Sequence, residues 1–173
     1  MDNKLTEVDL NRFTDIAYLD IIGNRSGDLE KIYQRNNKHI LFRDVMDYYL
    51  GRNRFANSSG PYELRDRFGG NYEEVRQLLE KMYDSTNPDY KQWKISNIVS
   101  NNKADQSGFV AYTIEPEPNV AIVAFRGSES VKKGNFNDWL NNFLTSYLLE
   151  SPQQKEAREY IEGLAKKQGI KEL

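Results

Sequence analysis

Serine hydroxyls are the candidates for nucleophilic chemistry in this sequence, because its 173 residues contain no cysteine and only one histidine. The common serine nucleophile lies in a Gly-x-Ser-x-Gly turn, and an acid and a histidine complete its triad. None of the eleven serines stands in that pattern, although Ser128 and Ser130 in Gly-Ser-Glu-Ser come nearest. His39 lies far upstream in a polar stretch, where we expect a solvated surface side chain. The sequence therefore assembles no catalytic triad.

Metal and cofactor sites find no support in the residue types. The absence of cysteine excludes thiolate ligands, and a single histidine excludes any site that needs two imidazoles. The acids Glu115, Glu117, Glu129 and Asp138 lack the spacing of metal ligands, and no glycine-rich phosphate loop opens a helix. We therefore expect no metal and no cofactor.

The charge balance and the hydropathy exclude two classes of partner, nucleic acids and membranes that the chain would span. Lys and Arg number 24 against 26 Asp and Glu, which gives a net charge of -2 without a block of like charge. A basic patch that would favour nucleic acid is missing, so no nucleic-acid partner is expected. No run of 18 apolar residues occurs and no apolar signal core follows Met1. We expect no transmembrane segment and a cytoplasmic location.

Hydrophobic periodicity predicts helices in the first half of a single domain over residues 1–173, with a helical region at 1–90 and a sheet-forming region at 91–173. Residues 51–70 contain several glycines, serines and a proline, which predict a loop. The predicted helices of this half are one from Thr6 to Gly23, Leu29–Gln34, Leu41–Leu50 and 71–84.

Beyond Pro88 the hydrophobic period changes to two, which predicts strands near 93–99, 108–114 and 120–125. Short connections favour an antiparallel meander. The last strand is almost wholly apolar, which predicts a central strand covered on both faces. Flanking helices are predicted at 138–148 and 152–168, so the fold class is α/β.

Two segments carry a resemblance to a known family. The predicted strand ends in Phe125-Arg126-Gly127-Ser128, and Asp138-Trp139-Leu140-Asn141-Asn142-Phe143 follows about ten residues later. This arrangement resembles the class 3 lipase group of α/β hydrolases, in a bacterial branch of uncharacterised lipase-like proteins. Tyr18-Leu19-Asp20 and the helix that begins Pro152-Gln153-Gln154 also resemble that branch.

The resemblance implies an N-terminal half of an α/β-hydrolase fold, in which Ile170–Leu173 would begin the strand that carries the nucleophile. It also implies that Ser128 is the oxyanion-hole residue, since its backbone N–H and its hydroxyl can both donate. Asp138 would cap the following helix and Trp139 would pack the loop. From Gly127-Ser128 alone, an ordinary turn serine is the favoured interpretation of Ser128, and the flanking residues favour the oxyanion role. Arg126 is interpreted equally well as a carboxylate partner or as a surface side chain.

These expectations lead to two functional hypotheses. The first is the N-terminal portion of a lipase- or esterase-like serine hydrolase that carries an oxyanion-hole loop, takes an acyl ester or lipid, and is inactive as this chain. The second is a non-catalytic protein- or lipid-binding module that uses the aromatic segment Tyr48–Tyr62 or an unpaired sheet edge. Such an edge would also favour self-association.

Overall fold

The computed structural model describes residues 16–101, 109–117, 120–126 and 152–168. These ranges contain helices packed with an antiparallel sheet, which makes the protein a mixed α and β structure as predicted. The helices are α1 (Asp28–Arg35), α2 (Phe42–Leu50), α3 (Gly60–Phe68), α4 (Tyr72–Asp84) and α5 (Pro152–Gln168), and the strands are β1 (His39–Leu41), β2 (Lys94–Ser100), β3 (Val110–Glu117) and β4 (Val120–Arg126). Short 3-10 turns lie at Asn53–Phe55, Gly69–Asn71 and Tyr90–Gln92.

The four strands are hydrogen-bonded in the order β1-β2-β3-β4. The three strands that the alternation predicted are confirmed, each beginning and ending within three residues of the predicted bounds. Strand β1 was not predicted, because three residues are too few to show an alternating pattern. It pairs antiparallel with β2, where Ile40 faces Ile95 and His39 faces Ser96.

Among the described strands, β4 does not have the central position that its apolar sequence predicted. Within the described sheet β4 lies at the end of the strand order, and its first residue, Val120, is 38% exposed. The covered strand is β3, in which the four residues Ala111–Ile114 are all buried. Thr113 interrupts the apolar run of β3 in the sequence, so hydropathy alone assigned the central position to the wrong strand.

The predicted loop at 51–70 is also wrong, because helix α3 occupies Gly60–Phe68. Pro61 lies in the first turn of α3, where a proline costs no hydrogen bond and its fixed φ suits a helix start. The Gly-Pro pair is therefore a start signal here and not a breaker. Gly51 ends α2 in the left-handed region with φ +63°, as the sequence predicted.

The remaining predicted helices have different outcomes. The predicted helix from Thr6 does not reach Gly23, because residues 17–27 form turns and bends with φ +82° at Gly23. The earlier part of that helix and the predicted helix at 138–148 lie outside the described residues. The helices predicted at 71–84 and 152–168 are confirmed as α4 and α5.

The described residues divide into two compact units, one comprising those up to Ile98 and those between Tyr112 and Ala124, the other the remainder. The largest fully buried side chains of the first unit include Tyr48, Tyr90 and Tyr112. The second unit contains the Phe109 cluster, made of buried Phe109, Ala111 and Ala157 with Val99, Phe125 and Tyr160 packed against them. No helix in the described ranges is long and apolar enough to cross a membrane.

Candidate functional site

The serine predicted for the oxyanion hole, Ser128, lies outside the described residues, as do Asp138 and Trp139. The structure does describe the strand that leads to it. Strand β4 ends at Arg126, which is only 4% exposed, so the surface alternative for this arginine is wrong. The neighbouring Phe125 ring lies 5.9 Å from the Phe109 ring, measured between centroids.

A serine, the histidine and a glutamate meet on one face of the sheet. His39 faces Ser96 across the β1–β2 pair, and the Ser96 hydroxyl donates to the Glu115 carboxylate on β3. In a catalytic triad the histidine bonds both the serine and the acid, whereas here the acid bonds the serine directly. These three residues therefore do not form a triad. Their proximity could not be predicted from the sequence, because it depends on the three-residue strand β1.

A polar cavity of about 310 Å³ lies in the first unit. The segment before α1 supplies one wall, helix α2 contributes a tyrosine, and helix α3 supplies charged side chains from successive turns. The lining residues are Asp20, Gly23, Arg25, Tyr49, Glu63, Asp66 and Arg67.

Two ion pairs connect the segment before α1 to helix α3 at this cavity. The Arg25 guanidinium lies 2.5 Å from Asp66, and Arg67 pairs with Asp20. The pKa of Arg25 is raised, chiefly by its hydrogen bond with Tyr62. Both positive charges of the cavity are thus adjacent to negative ones.

Tyr49 of α2 forms a hydrogen bond to the segment before α1. Its buried hydroxyl donates to the Asp20 carbonyl oxygen at 2.8 Å. Burial raises the pKa of Tyr49 well above its usual value, and the nearby Asp20 carboxylate raises it further. The phenol therefore remains a neutral donor at physiological pH.

Three hydrogen bonds hold the Glu63 carboxylate at the cavity. Its Oε1 accepts hydrogen bonds from the hydroxyls of Tyr48 and Ser59, both at 2.6 Å. Its Oε2 accepts from the backbone N–H of Arg25 at 3.3 Å. The Tyr48 hydroxyl also lies 3.0 Å from the Ser59 hydroxyl and accepts from Ser26 at 3.2 Å. We call Tyr48, Ser59, Glu63 and Ser26 the Tyr48 network.

Gly60 permits α2 and α3 to come close enough for the Tyr48 network to form. A Cβ atom at Gly60 would overlap the carbonyl oxygen of Tyr48 and lie 2.6 Å from its carbonyl carbon. Because those atoms are backbone, they cannot move aside without shifting the helix. Glycine is therefore required at the first residue of α3.

The aromatic segment Tyr48–Tyr62, which the binding-module hypothesis used, offers little exposed aromatic surface. Tyr48, Tyr49 and Phe55 are buried, and only Tyr62 is exposed. The Arg25 guanidinium lies over the Tyr62 ring at 4.9 Å from its centroid. These aromatic rings pack the helical layer instead of presenting a docking face.

The acids of the described ranges do not gather into a metal site: no group of three or more His, Asp or Glu side chains there could hold an ion. At the cavity, the carboxylates face guanidinium groups and hydroxyls. The opposite charges of this lining suit the binding of a small charged molecule.

Comparison with known proteins identifies no relative, since no family model, no curated protein and no solved structure matches this chain. The resemblance to class 3 lipases therefore depends on the two sequence segments that carry it.

Proposed function

We propose that this chain carries the oxyanion-hole loop of a lipase- or esterase-like serine hydrolase with an α/β-hydrolase fold, whose substrate is an acyl ester. Ser128 is the residue that donates to the developing oxyanion. The sequence contains no Gly-x-Ser-x-Gly segment, so these 173 residues supply no nucleophile of their own. The chain alone does not hydrolyse esters.

The observation that carries the proposal is the fixed end of β4 immediately before Gly127 and Ser128. Arg126 is buried, and the Phe125 ring contacts two other rings, that of Phe109 just before β3 and that of Tyr160 on α5, the latter at 6.0 Å between centroids. An oxyanion donor works only when it is held in place before the reaction begins. A loop that leaves a packed strand end meets that requirement better than one that leaves a solvated end.

The order of elements adds support. Antiparallel strands precede the Phe125–Ser128 segment, and helix α5 begins at Pro152 as the resemblance implies. Helix α5 packs Ala157 into the Phe109 cluster next to β4's last residues. A helix that follows a strand and returns to the same sheet is the common connection to a parallel strand.

Ester hydrolysis by the purified chain tests the inactive part of the proposal. We expect no release of p-nitrophenol from p-nitrophenyl butyrate above the rate in buffer. Turnover that survives repurification and disappears in Ser128→Ala would show that the chain carries its own nucleophile, and would contradict the proposal.

The role of Ser128 is testable in the product of the whole reading frame that contains this chain. Removing one oxyanion donor lowers kcat by about 100-fold or more. We expect that loss in Ser128→Ala with little change in KM, and no loss in the matched control Ser130→Ala, two residues along the same segment. Because alanine keeps the backbone N–H, equal activity of both variants would exclude the Ser128 hydroxyl as the oxyanion donor.

A cytoplasmic location and self-association through β4 accompany this proposal. In the described sheet β4 is the end strand, and its first two residues, Val120 and Ala121, are exposed and apolar. Exposed apolar edge strands favour pairing between copies. Sedimentation velocity tests this point: we expect dimers that Val120→Lys disperses, and a monomer for the unchanged chain would contradict it.

A further inference from the structure

The polar cavity of the first unit has a size and a charge pattern that the proposed hydrolase function does not use. Its volume of about 310 Å³ is at the lower end of the range for small-molecule sites. Tyr49 is the one aromatic residue of its lining, and no aliphatic side chain contributes to it. An acyl chain would find no apolar wall there.

The lining combines both signs of charge within one small space. Arg25 and Arg67 supply two guanidinium groups, and Asp20, Glu63 and Asp66 supply three carboxylates. A ligand with a single charge would meet its own sign on part of the lining. A small molecule that carries both signs meets an opposite charge at each end.

Arg25 is suited to hold a carboxylate. Its guanidinium has five N–H donors, and its ion pair with Asp66 is exposed on both sides, at 54% and 57% of the two side chains. Exposed pairs contribute little to stability, so a ligand carboxylate can share or replace Asp66 at small cost. The planar guanidinium also matches a carboxylate with two parallel hydrogen bonds.

Glu63 is suited to hold an ammonium group. An ionised carboxylate offers about four acceptor positions. Glu63 uses three of them for Tyr48, Ser59 and the backbone of Arg25. The remaining position is on a carboxylate whose orientation is already fixed, which lowers the entropy cost of binding.

Asn24 lies in the chain between two lining residues and has a buried acceptor. Asn24 is 6% exposed, and its Oδ1 has no hydrogen-bond partner among the described residues, while its Nδ2 donates to Ser26. Its chain neighbours Gly23 and Arg25 both line the cavity. Asn24 itself does not line the cavity, so the ligand assignment depends on Arg25 and Glu63.

We propose that this cavity binds a small zwitterion of the free α-amino acid class, with the ligand carboxylate on Arg25 and the ligand ammonium on Glu63. The proposal is independent of the hydrolase function, because it uses neither Ser128 nor the end of β4.

The test uses L-serine and its two half-molecules with the full chain. Ethanolamine lacks the carboxylate, and 3-hydroxypropanoate lacks the ammonium. In ¹H–¹⁵N spectra we expect L-serine to shift the Gly23 and Arg25 amides saturably with a Kd of about 1 mM. Each half-molecule should bind at least about tenfold more weakly, because it leaves one charged group of the cavity unpaired.

Variants of Arg25 and Glu63 test which residue binds each charged end of the ligand. We expect Arg25→Gln and Glu63→Gln each to weaken L-serine binding at least about tenfold. The amide oxygen introduced by Glu63→Gln still accepts from Tyr48 and Ser59, and a melting curve checks that each variant is folded. Arg43→Gln, an exposed arginine of α2 outside the lining, should bind like the unchanged chain.

Three results would overturn the proposal. Absence of saturable shifts up to about 10 mM L-serine would exclude the site. Ethanolamine binding as tightly as L-serine would make it a cation site, and 3-hydroxypropanoate binding as tightly would make it an anion site. None of these results bears on ester hydrolysis, so the hydrolase proposal stands or falls separately.

Discussion

The Tyr48 network of the first unit and the Phe109 cluster of the second stabilise their helices with different chemistry. The network joins α2, α3 and the segment before α1 through hydroxyls and one carboxylate, with hydrogen bonds of 2.6 to 3.2 Å. The cluster joins α5 to strand residues through apolar contacts, beside one hydrogen bond of 2.7 Å from Asn101 to Glu156 of α5. Directional bonds depend on single atoms, whereas apolar contacts depend on volume.

The difference predicts where the protein tolerates change. In the network, removal of the Tyr48 hydroxyl takes one hydrogen bond from each of three polar partners. In the cluster, a change of similar size alters only packing. Substitutions matched between the two regions therefore measure how far the first unit depends on hydrogen-bond geometry.

Gly60→Ala should have the largest effect. Its Cβ would overlap the Tyr48 carbonyl, so α3 must move away from α2 and the Tyr48 network must stretch. We expect a loss of about 3 kcal/mol or more in the free energy of unfolding, measured by urea denaturation.

The matched control is Gly163→Ala in the middle of α5. A Cβ there meets nothing within 4 Å, so alanine should stabilise the helix by about 0.5–1 kcal/mol. Equal effects of the two substitutions would contradict the close approach of α2 and α3.

Tyr48→Phe should have the next largest effect, because it removes one oxygen atom that bonds Glu63, Ser59 and Ser26. A hydrogen bond to a charged group contributes about 1.5–3 kcal/mol, and we expect a loss in that range by urea denaturation.

In the Phe109 cluster, Phe109→Leu keeps an apolar side chain and should cost about 1 kcal/mol. If Phe109→Leu lowers the free energy of unfolding more than Tyr48→Phe does, the distinction between the two regions fails.

Tyr49→Phe should change how stability depends on alkaline pH. The folded-state pKa of Tyr49 is raised, so its contribution is complete below the unfolded pKa of 10.0 and is lost as pH rises toward the folded value. The variant should lose about 1 kcal/mol at neutral pH with its bond to Asp20, and its melting temperature should fall less steeply above pH 10.

An alkaline slope in Tyr49→Phe equal to that of the unchanged chain would show that the Tyr49 phenol is not desolvated.

Arg76→Ala should have the smallest effect on stability and a clear effect on titration. Arg76 bonds Glu73 on the surface of α4 and holds the pKa of that carboxyl at about 2, below its usual 4.5. The pair therefore stabilises the fold above pH 4.5 and its contribution is lost as pH falls toward 2. In ¹³C-detected titrations the Glu73 pKa should rise toward 4.5 in the variant, and an unchanged value would exclude Arg76 as the cause.

Long amphipathic elements could be predicted from the sequence. The stripe of Val75, Leu79 and Met82 predicted α4, and alternation predicted the three long strands. Strand β1 and helix α3 could not be predicted in this way, since β1 has only three residues and α3 begins at Gly60-Pro61. The position of β1 depends on its pairing with β2, in which Ile40 faces Ile95. The position of α3 depends on the close approach of Gly60 to the Tyr48 backbone.

The cavity left only a weak signal in the sequence. Glu63, Asp66 and Arg67 are spaced by three and four residues, which places them on one face once α3 is known to be a helix. The opposing residues Asp20 and Arg25 come from turns with no regular pattern. Only the folded chain brings these two groups together.

The most direct test of the hydrolase proposal is to sequence the source locus downstream of the codon for Leu173. We predict an in-frame Gly-x-Ser-x-Gly within a few codons, preceded by apolar residues, and an acid and a histidine further along the frame. A stop codon directly after Leu173, or a long frame without that motif, would contradict the proposal.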